Sequence, residues 1–222
     1  MIERNLLLIN GKIKQICKTY GRNSATVNLV AVSKMVEAQK IREAIAAGAK
    51  IFGENYIQES FEKWPEIKKN FPEIKLNLIG HLQSNKADKA VELFDCIESL
   101  DSKKLALALQ KEIKKQNKNP EIFIQVNIGD EEQKSGVALN ELAELIKFSR
   151  DECGLNLSGL MCVPPSGEAA SPYFALLAKL AKQHNLKNIS MGMSADFEEA
   201  IALGATHIRL GTAIFGSRVI SN

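Results

Sequence analysis

The sequence predicts an α/β protein folded as a closed (β/α)8 barrel of the TIM type, with an extra helix before the first strand. Short apolar runs alternate with amphipathic helical patterns along the chain. This alternation implies parallel strands joined by right-handed crossovers. Eight such units fit within the 222 residues, which suits a compact barrel. We therefore expect a single domain spanning residues 1–222, and a doubly wound open sheet is the alternative.

The first predicted element is an N-terminal helix over Ile2–Tyr20. Apolar residues recur there every three or four positions, at Leu6, Ile9, Ile13 and Ile16. This spacing gives a helix with one apolar face. The helix precedes the first strand and is therefore additional to the eight repeated units.

The eight predicted strands are short and mostly apolar, as expected for parallel strands covered on both faces. They are Val27–Ser33, Lys50–Gly53, Leu76–Gly80, Phe94–Ser99, Ile122–Ile128, Leu157–Cys162, Asn188–Met191 and His207–Leu210. The helices between them are predicted near residues 37–47, 55–68, 84–92, 102–117, 140–152, 169–184 and 195–203, and a short terminal helix is predicted over Ala213–Phe215.

Two helix–strand connections share almost the same sequence. Glu43–Ala49 and Glu199–Ala205 are identical at six of seven positions. In both segments a predicted helix ends on a glycine, which takes the left-handed conformation of a helix C-terminus at low cost. We interpret the match as shared local geometry and not as evidence of gene duplication.

Composition narrows the classes of function. The net charge of +3 is spread along the chain and argues against a nucleic-acid partner. The four cysteines have no CxxC spacing and no paired histidines accompany them, so neither a metal site nor a disulfide framework is expected. The sequence contains no signal peptide and no apolar run of membrane-spanning length. We therefore expect a cytoplasmic protein with no membrane partner.

Lys34 is the first candidate for chemistry. It ends an apolar run that is predicted to be a buried strand, and the carboxyl ends of barrel strands form the face that carries active sites. Only about one free lysine in 2,500 is neutral at pH 7, and burial raises that fraction because it disfavours the ammonium form. A lysine placed there suits Schiff-base chemistry. The alternative is a side chain that leaves the barrel rim for solvent.

The last two strand–helix connections predict an anion site. Ser194 is a candidate N-cap for the helix that follows it, and Gly211–Thr212 lead into the terminal helix. In this fold, the loops after strands seven and eight recurrently bind phosphate, since backbone N–H groups at helix N-termini attract anions. Asp196, Glu198 and Glu199 would repel a phosphate, so we expect them to face away. Ordinary caps and turns are the alternative interpretation.

Arg209 lies inside an apolar strand, between Ile208 and Leu210. A buried, unpaired guanidinium is costly, so this residue requires an acceptor. The acceptor is either a ligand in the barrel or a neighbouring carboxylate in a structural ion pair.

Seven segments of the chain carry the motifs of one known family. They are Val30–Lys34, Phe52–Tyr56, Ile79–Lys86, Lys134–Gly136, Gly159–Met161, Met191–Asp196 and Arg209–Gly216. Through them the sequence resembles the pyridoxal phosphate homeostasis proteins, single-domain relatives of the alanine racemase barrel. The similarity runs from about residue 3 to residue 218. No motif position departs in a way that would remove the cofactor site.

The resemblance implies that pyridoxal phosphate (PLP) is the cofactor and that Lys34 carries it as an internal aldimine. It also implies a role in intracellular vitamin B6 homeostasis, with the apo forms of PLP-dependent enzymes as candidate recipients. We expect a monomer. The other residues that the resemblance assigns to the cofactor are Asn55 beside the ring, Arg209 facing the pyridine nitrogen, and Ser194, the backbone near Met193, Gly211 and Thr212 around the phosphate.

A small amino-acid racemase, or another PLP-dependent enzyme, is the alternative function. Racemisation needs an acid or base on each face of the substrate carbon, and Lys34 supplies only one. Related racemases take the second group from another domain, which we do not expect here. Of Tyr20, Tyr56 and Tyr173, only Tyr56 is predicted near the barrel mouth. A barrel that binds a different phosphate ligand is the third possibility.

Two further features of the predicted mouth have no assigned chemistry. His81 is one of three histidines and is either a participant in the site or an ordinary loop residue. The loop Asp130–Gly136 belongs to the family pattern, but its residues suggest no particular reaction.

Overall fold

The computed structural model describes residues 1–131 and 133–216. Within these residues, eight parallel strands close into a barrel in chain order, because the last strand pairs with the first. The predicted barrel is confirmed, and the doubly wound open sheet is wrong because it would leave those two strands unpaired. The strands are β1 Asn28–Val32, β2 Ile51–Glu54, β3 Lys75–Leu78, β4 Cys96–Leu100, β5 Glu121–Val126, β6 Leu157–Cys162, β7 Asn188–Ser190 and β8 His207–Leu210.

Helices cover the outside of the barrel, as the sequence pattern predicts. They are α1 Ile2–Thr19, α2 Ala38–Ala46, α3 Ile57–Asn70, α4 Ala87–Leu93, α5 Lys103–Gln116, α6 Leu142–Lys147, α7 Ser171–Gln183, α8 Phe197–Ala202 and α9 Thr212–Phe215. Short 3-10 turns lie at Ser24–Thr26 and Ser84–Lys86. Among the described helices, none combines the length and the apolar character that crossing a lipid bilayer requires.

The predicted helix over residues 140–152 is shorter than expected. Regular α-helix ends at Lys147, and Phe148–Glu152 form a π-helical turn. The N–H of Cys153 donates to the carbonyl of Phe148 at 3.0 Å, a five-residue spacing that widens the last turn. Residue periodicity does not distinguish these two types of turn at the end of a helix.

Helix α1 packs against the outer layer near the junction of β8 and β1. Its buried face is formed by Ile2, Leu6, Ile9, Ile13 and Cys17, and its neighbours are α2, α8 and α9. The predicted apolar face is therefore confirmed, although Ile16 lies at its edge and is only partly buried. The helix supports the side of the barrel where the chain closes on itself.

The two similar connections adopt the same geometry, as predicted. Gly48 has φ +94° and Gly204 has φ +105°, the left-handed values that favour glycine. The residue after each glycine donates back to the preceding helix, from Ala49 to Ala44 at 2.9 Å and from Ala205 to Ala200 at 2.8 Å. A helix and a strand are thereby joined without a longer loop.

The barrel interior is unusually polar. The main apolar core lies between the strands and the helices and includes Phe52, Trp64 and Phe174. Inside the barrel, a small apolar cluster of Cys96, Phe123 and Met161 is accompanied by buried Asn77, Glu98, Ser190, His207 and Arg209. Buried polar groups require hydrogen-bond partners, so the interior must contain a connected network.

Gly159 provides a test of how closely β6 and β7 pack. A Cβ at this position would lie 2.3 Å from the Asn188 carbonyl oxygen and 2.6 Å from Cε1 of Phe123. We expect Gly159→Ala to lower the free energy of unfolding by about 1–3 kcal/mol, because backbone and ring must both shift. The measurement is urea denaturation followed by circular dichroism.

The matched control is Gly11→Ala in the exposed part of α1, where an added Cβ meets nothing within 4 Å. This substitution should raise stability by about 1 kcal/mol, because alanine is the better helix former. Equal effects of the two substitutions would contradict the close packing of Gly159.

Candidate functional site

The position of Lys34 follows from the register of the barrel. Val32 of β1 pairs with Gly53 of β2, so extending both strands by two residues places Lys34 beside Asn55. Asn28 lines the cavity at the amino-terminal end of the barrel. Because side chains alternate along a strand, Val30, Val32 and then Lys34 continue the inward series. Lys34 is partly buried and belongs to the carboxyl mouth.

Hydrogen bonds to β2 and within the following turn hold the backbone around Lys34. Ser33 N–H donates to the Gly53 carbonyl at 2.9 Å, and Val36 N–H donates to the Ser33 carbonyl at 3.0 Å. Met35 has φ +58°, an uncommon conformation for a residue with a side chain, and its N–H donates to Glu59 Oε1 at 2.5 Å. The carboxylate of Glu59 therefore stabilises the left-handed turn that follows Lys34.

Lys63 joins this turn to the buried residue Glu54. Its ammonium donates to the carbonyls of Ser33 at 3.0 Å and Val36 at 3.4 Å, and it lies 2.9 Å from Glu54 Oε1. The same carboxylate oxygen accepts from Ser33 Oγ at 2.7 Å and from Trp64 Nε1 at 3.0 Å. Glu54 lies on the outer face of β2, against α3, and ties that helix to the Lys34 turn.

Asn55, at the mouth, has a side-chain oxygen with no hydrogen-bond donor within the described residues. This atom, Oδ1, is buried, so the lack of a donor is costly unless a ligand donates to it. The backbone of Asn55 is fixed by the next strand, because a Cβ on Gly80 would lie 2.2 Å from the Asn55 carbonyl oxygen. Asn55 also lines a cavity of about 410 Å³ together with Tyr56, His81 and Lys86.

Arg209 is 5% exposed and belongs to a hydrogen-bonded chain across the barrel interior. Its Nη1 donates to Ser190 Oγ at 2.7 Å, and its Nη2 donates to the Cys162 carbonyl at 2.8 Å. Ser190 Oγ donates in turn to Glu98 Oε2 at 2.5 Å, and Asn77 Nδ2 donates to Glu98 Oε1 at 2.7 Å. The acceptors that Arg209 requires are therefore a hydroxyl and a backbone carbonyl, and the expected direct ion pair with a carboxylate is replaced, within the described residues, by a link to Glu98 through Ser190. Arginine has five N–H donors, so further donors remain for a ligand.

Burial keeps the neighbouring titratable groups neutral. It raises the pKa of the Cys162 thiol to about 12, while the guanidinium of Arg209 acts in the opposite direction. Burial also lowers the pKa of His207, and the nearby carboxylates of Glu98 and Glu121 partly offset this shift. His207 is fixed by its neighbours Thr206, 2.9 Å from Nδ1, and Asn28, 3.2 Å from Nε2.

The two loops of the predicted anion site lie side by side. The N–H of Arg209 donates to the Gly192 carbonyl at 2.9 Å, which holds β8 next to the loop that contains Ser194. Ser194 and Thr212 are exposed at the mouth. Within the described residues, no group accepts from the N–H of either. Both loops therefore present free donors for an anion.

The expected capping role of Ser194 is wrong. Helix α8 begins at Phe197 and its N-cap position is Asp196, so the helix starts two residues later than predicted. Asp196 Oδ1 accepts from the N–H of Met193 at 2.5 Å, so one N–H of the backbone near Met193, which the resemblance assigns to the phosphate, is already engaged. Glu198 and Glu199 are directed elsewhere, to Lys12 and Ser171, as expected.

His81 lies at the mouth beside two polar residues. Its Nδ1 is 3.6 Å from Asp101 Oδ2 and 3.4 Å from Ser135 Oγ. Burial raises the pKa of Asp101, and His81 opposes this shift. The contact with Ser135 connects the loop after β3 to the loop that precedes Val137, which pairs with Val126. Through Ser135, this cluster brings the Asp130–Gly136 loop into contact with the mouth.

Comparison with known proteins agrees with this geometry. The family of the alanine racemase N-terminal domain matches residues 10–219, so the chain belongs to this class of barrel. The pyridoxal phosphate homeostasis protein of Haemophilus influenzae is 39% identical over 98% of this chain and 96% of its own length. Within the class, the chain belongs to the pyridoxal phosphate homeostasis protein family.

Two solved structures show the same architecture. PipY of Synechococcus elongatus, with PLP bound, is 36% identical, has a TM-score of 0.80, and is matched over 97% of this chain and 100% of that one. A protein from Bifidobacterium adolescentis is 29% identical, with a TM-score of 0.90 over 96% of this chain and 94% of that one. The barrel is thus shared along its whole length.

Sequence analysis missed the two buried carboxylates of the site. Glu98 lies in the apolar run of β4, which is the same signal that identified Arg209. Glu54 stands next to Asn55 but carried no assigned role. The sequence contains the charges, but it does not show that Glu98 faces Arg209 through Ser190 or that Glu54 faces Lys63.

The contact of Lys63 with Glu54 predicts a large loss of stability in Lys63→Met. This substitution keeps the apolar stem of the side chain and leaves the buried Glu54 carboxylate without its cation. We expect the free energy of unfolding to fall by about 3 kcal/mol, measured by urea denaturation.

Lys12→Met is the control, because Lys12 forms an ion pair with Glu198 on the surface, 2.7 Å apart. Such exposed pairs contribute less than about 1 kcal/mol. A loss in Lys63→Met no larger than in the control would show that Lys63 does not support the Lys34 turn.

Proposed function

We propose that this protein binds PLP through Lys34 and serves PLP homeostasis in the cell without catalytic turnover. The observation that carries the proposal is the inward position of Lys34 at the barrel mouth, between the ends of β2 and β8. Membership in the pyridoxal phosphate homeostasis family and the PLP bound to PipY support it.

The residues at the mouth fit this cofactor. The buried Oδ1 of Asn55 lacks a partner within the described residues and would accept from a donor on the ligand. The free N–H groups of Ser194 and Thr212 suit a phosphate. Arg209 has further N–H groups for a ring nitrogen. When bound, PLP supplies an aldehyde that condenses with a primary amine and releases water.

Under this proposal, each group of the chain has a separate task. Lys34 Nζ forms an internal aldimine with the cofactor, while Lys63 and Glu59 hold the turn that presents it. Thr212, Gly211 and Ser194 bind the phosphate oxygens. Arg209 donates to the pyridine nitrogen and keeps its own proton, because arginine acts only as a hydrogen-bond donor. A role for the Met193 N–H requires that Asp196 first release it.

The cysteines and the mouth also bear on location and partners. Cys17, Cys96, Cys153 and Cys162 are free and buried, which suits a reducing compartment, and we propose the cytoplasm. The mouth is open to solvent at Ser194 and Thr212, and an open mouth permits release of the cofactor to apo-enzymes. We further propose that the protein acts as a monomer.

A small amino-acid racemase, or another PLP-dependent enzyme, is the second candidate, and His81 favours it. The His81–Asp101 pair lies beside the cavity next to Asn55, where a second acid or base would act. Against it, the side chain of His81 is 54% exposed and Tyr56 is 57% exposed. Exposed groups are poorly placed for controlled proton transfer at a reacting carbon.

Replacement of Lys34 tests the proposal directly. We expect Lys34→Ala to lose both the visible absorption band formed with PLP and the borohydride-stable adduct, because the proposed aldimine forms on Lys34 Nζ. Absorption spectra before and after borohydride, followed by mass mapping of the adduct, measure both. Lys14→Ala on exposed α1 is the control and should keep the band.

An unchanged band and adduct in Lys34→Ala would show that the cofactor is bound elsewhere. The racemase alternative is examined in the same protein by exchange of amino-acid α-protons in deuterated water. Exchange that is faster than with free PLP would favour the enzyme, and exchange at the rate of free PLP would favour the binding protein.

The hydroxyl of Thr212 should strengthen cofactor retention. We expect Thr212→Val to weaken PLP binding by about 1–3 kcal/mol, because a charge-assisted hydrogen bond to the phosphate is lost. Equilibrium dialysis with PLP gives the affinity. Thr19→Val, on the exposed surface of α1, is the control, and equal affinities of the two variants would mean that the phosphate does not contact Thr212.

A further inference from the structure

The series of hydrogen bonds that starts at Arg209 ends at a carboxylate, across the barrel from β8. Glu98 is fully buried in β4 and is linked to the guanidinium through one hydroxyl, that of Ser190. In the closed strand order, β4 is separated from β8 by three strands on either side. The chain therefore spans the interior beneath the mouth.

The donor and acceptor of each hydrogen bond in this series follow from the groups involved. Arginine can only donate, so the oxygen of Ser190 accepts from Arg209 and its proton is directed to Glu98 Oε2. The amide nitrogen of Asn77 donates to the other oxygen, Oε1. With a donor on each oxygen, Glu98 acts as an acceptor at both, which is the role of a carboxylate. One positive and one negative charge are thus buried together.

From this geometry we propose that Glu98 is a positioning residue for the cofactor site, acting through Ser190 on Arg209. Its negative charge holds the guanidinium in the interior, below the ring, and keeps it away from the phosphate loops. It also contributes a negative potential beneath the Lys34 imine. The inference rests on the proposed function, since it concerns the cofactor that Lys34 holds.

Within the described residues, Glu98 is the carboxylate hydrogen-bonded into this network, and the other titratable groups nearby are neutral or lie outside it. Cys162 is held as a neutral thiol by burial, which raises its pKa to about 12. Burial also lowers the pKa of His207, which therefore stays uncharged. Asp196 is bound to the Met193 N–H above the barrel. Glu121 lies at the opposite, amino-terminal end, 3.7 Å from Lys75.

Glu98→Gln removes the charge and preserves the shape of the side chain. Oε1 of the new glutamine can accept from Ser190, and a rotated Asn77 amide can accept from its NH₂ group. Because a nearby negative charge stabilises a protonated imine, its loss should lower the pH at which the visible band of bound PLP gives way to the near-ultraviolet band. We expect a downward shift of about one pH unit and tighter binding of the anionic cofactor.

The experiment is a pH titration of the absorption spectrum of PLP-loaded protein, with equilibrium dialysis for affinity. Glu112→Gln is the matched control, since Glu112 is a largely buried carboxylate on α5, outside the barrel. A lower midpoint in Glu98→Gln, with the parent value in Glu112→Gln, supports the inference. A midpoint shared by all three proteins overturns it.

The outcome for the parent protein separates this inference from the proposed function. A parent without a PLP band overturns the proposed function, and the inference falls with it. A parent with a Lys34 adduct and an unshifted Glu98→Gln variant overturns the inference alone.

Ser190→Ala covers the case in which Glu98→Gln does not fold. It removes the hydroxyl that links the carboxylate to Arg209, so the midpoint should move in the same direction by a smaller amount. A folded Ser190→Ala protein with the parent midpoint and the parent affinity would overturn the inference.

Discussion

The site depends on the neutralisation of one buried positive charge. Arg209 is 5% exposed, and a guanidinium without partners in such a place would cost several kcal/mol. Its partners come from other strands of the barrel: Ser190 of β7, the carbonyl of Cys162 in β6, and Glu98 of β4 beyond the serine. These groups meet only when the sheet has closed in its observed register. Closure of the barrel and formation of the cofactor site are therefore linked.

Two buried carboxylates, one on each face of the sheet, hold the two halves of the site. Glu54 faces outward to α3 and binds Lys63, which fixes the turn that carries Lys34. Glu98 faces inward and determines where the cation of Arg209 lies. Both are fully buried. The amine and the guanidinium are thus positioned by the rigid frame and not by mobile loops, which is what precise ligand binding requires.

The sequence predicts which residues belong to the site better than it predicts the hydrogen bonds that link them. Strand–helix alternation predicts the barrel, and a charge in an apolar strand identifies Arg209. The link between Ser190 and Glu98 joins residues 92 positions apart, and it depends on which strands face each other across the closed barrel. Ser194 shows a different limit, because Ser194 and Asp196 are both good N-caps and local composition does not choose between them.

Under the proposed function, the same arrangement suits retention of the cofactor better than turnover. In the proposed complex, Arg209 would give the pyridine nitrogen a hydrogen bond but no proton, so the ring would draw electrons only weakly and a carbanion beside it would gain little stabilisation. The best-placed second acid, His81, belongs to a half-exposed cluster with Asp101. Under the proposed function, the buried groups would instead act on the two ends of the cofactor, the aldehyde at Lys34 and the nitrogen at Arg209. In that proposal, a reversible covalent bond combined with an anion site at an exposed mouth would allow PLP to be held and then released.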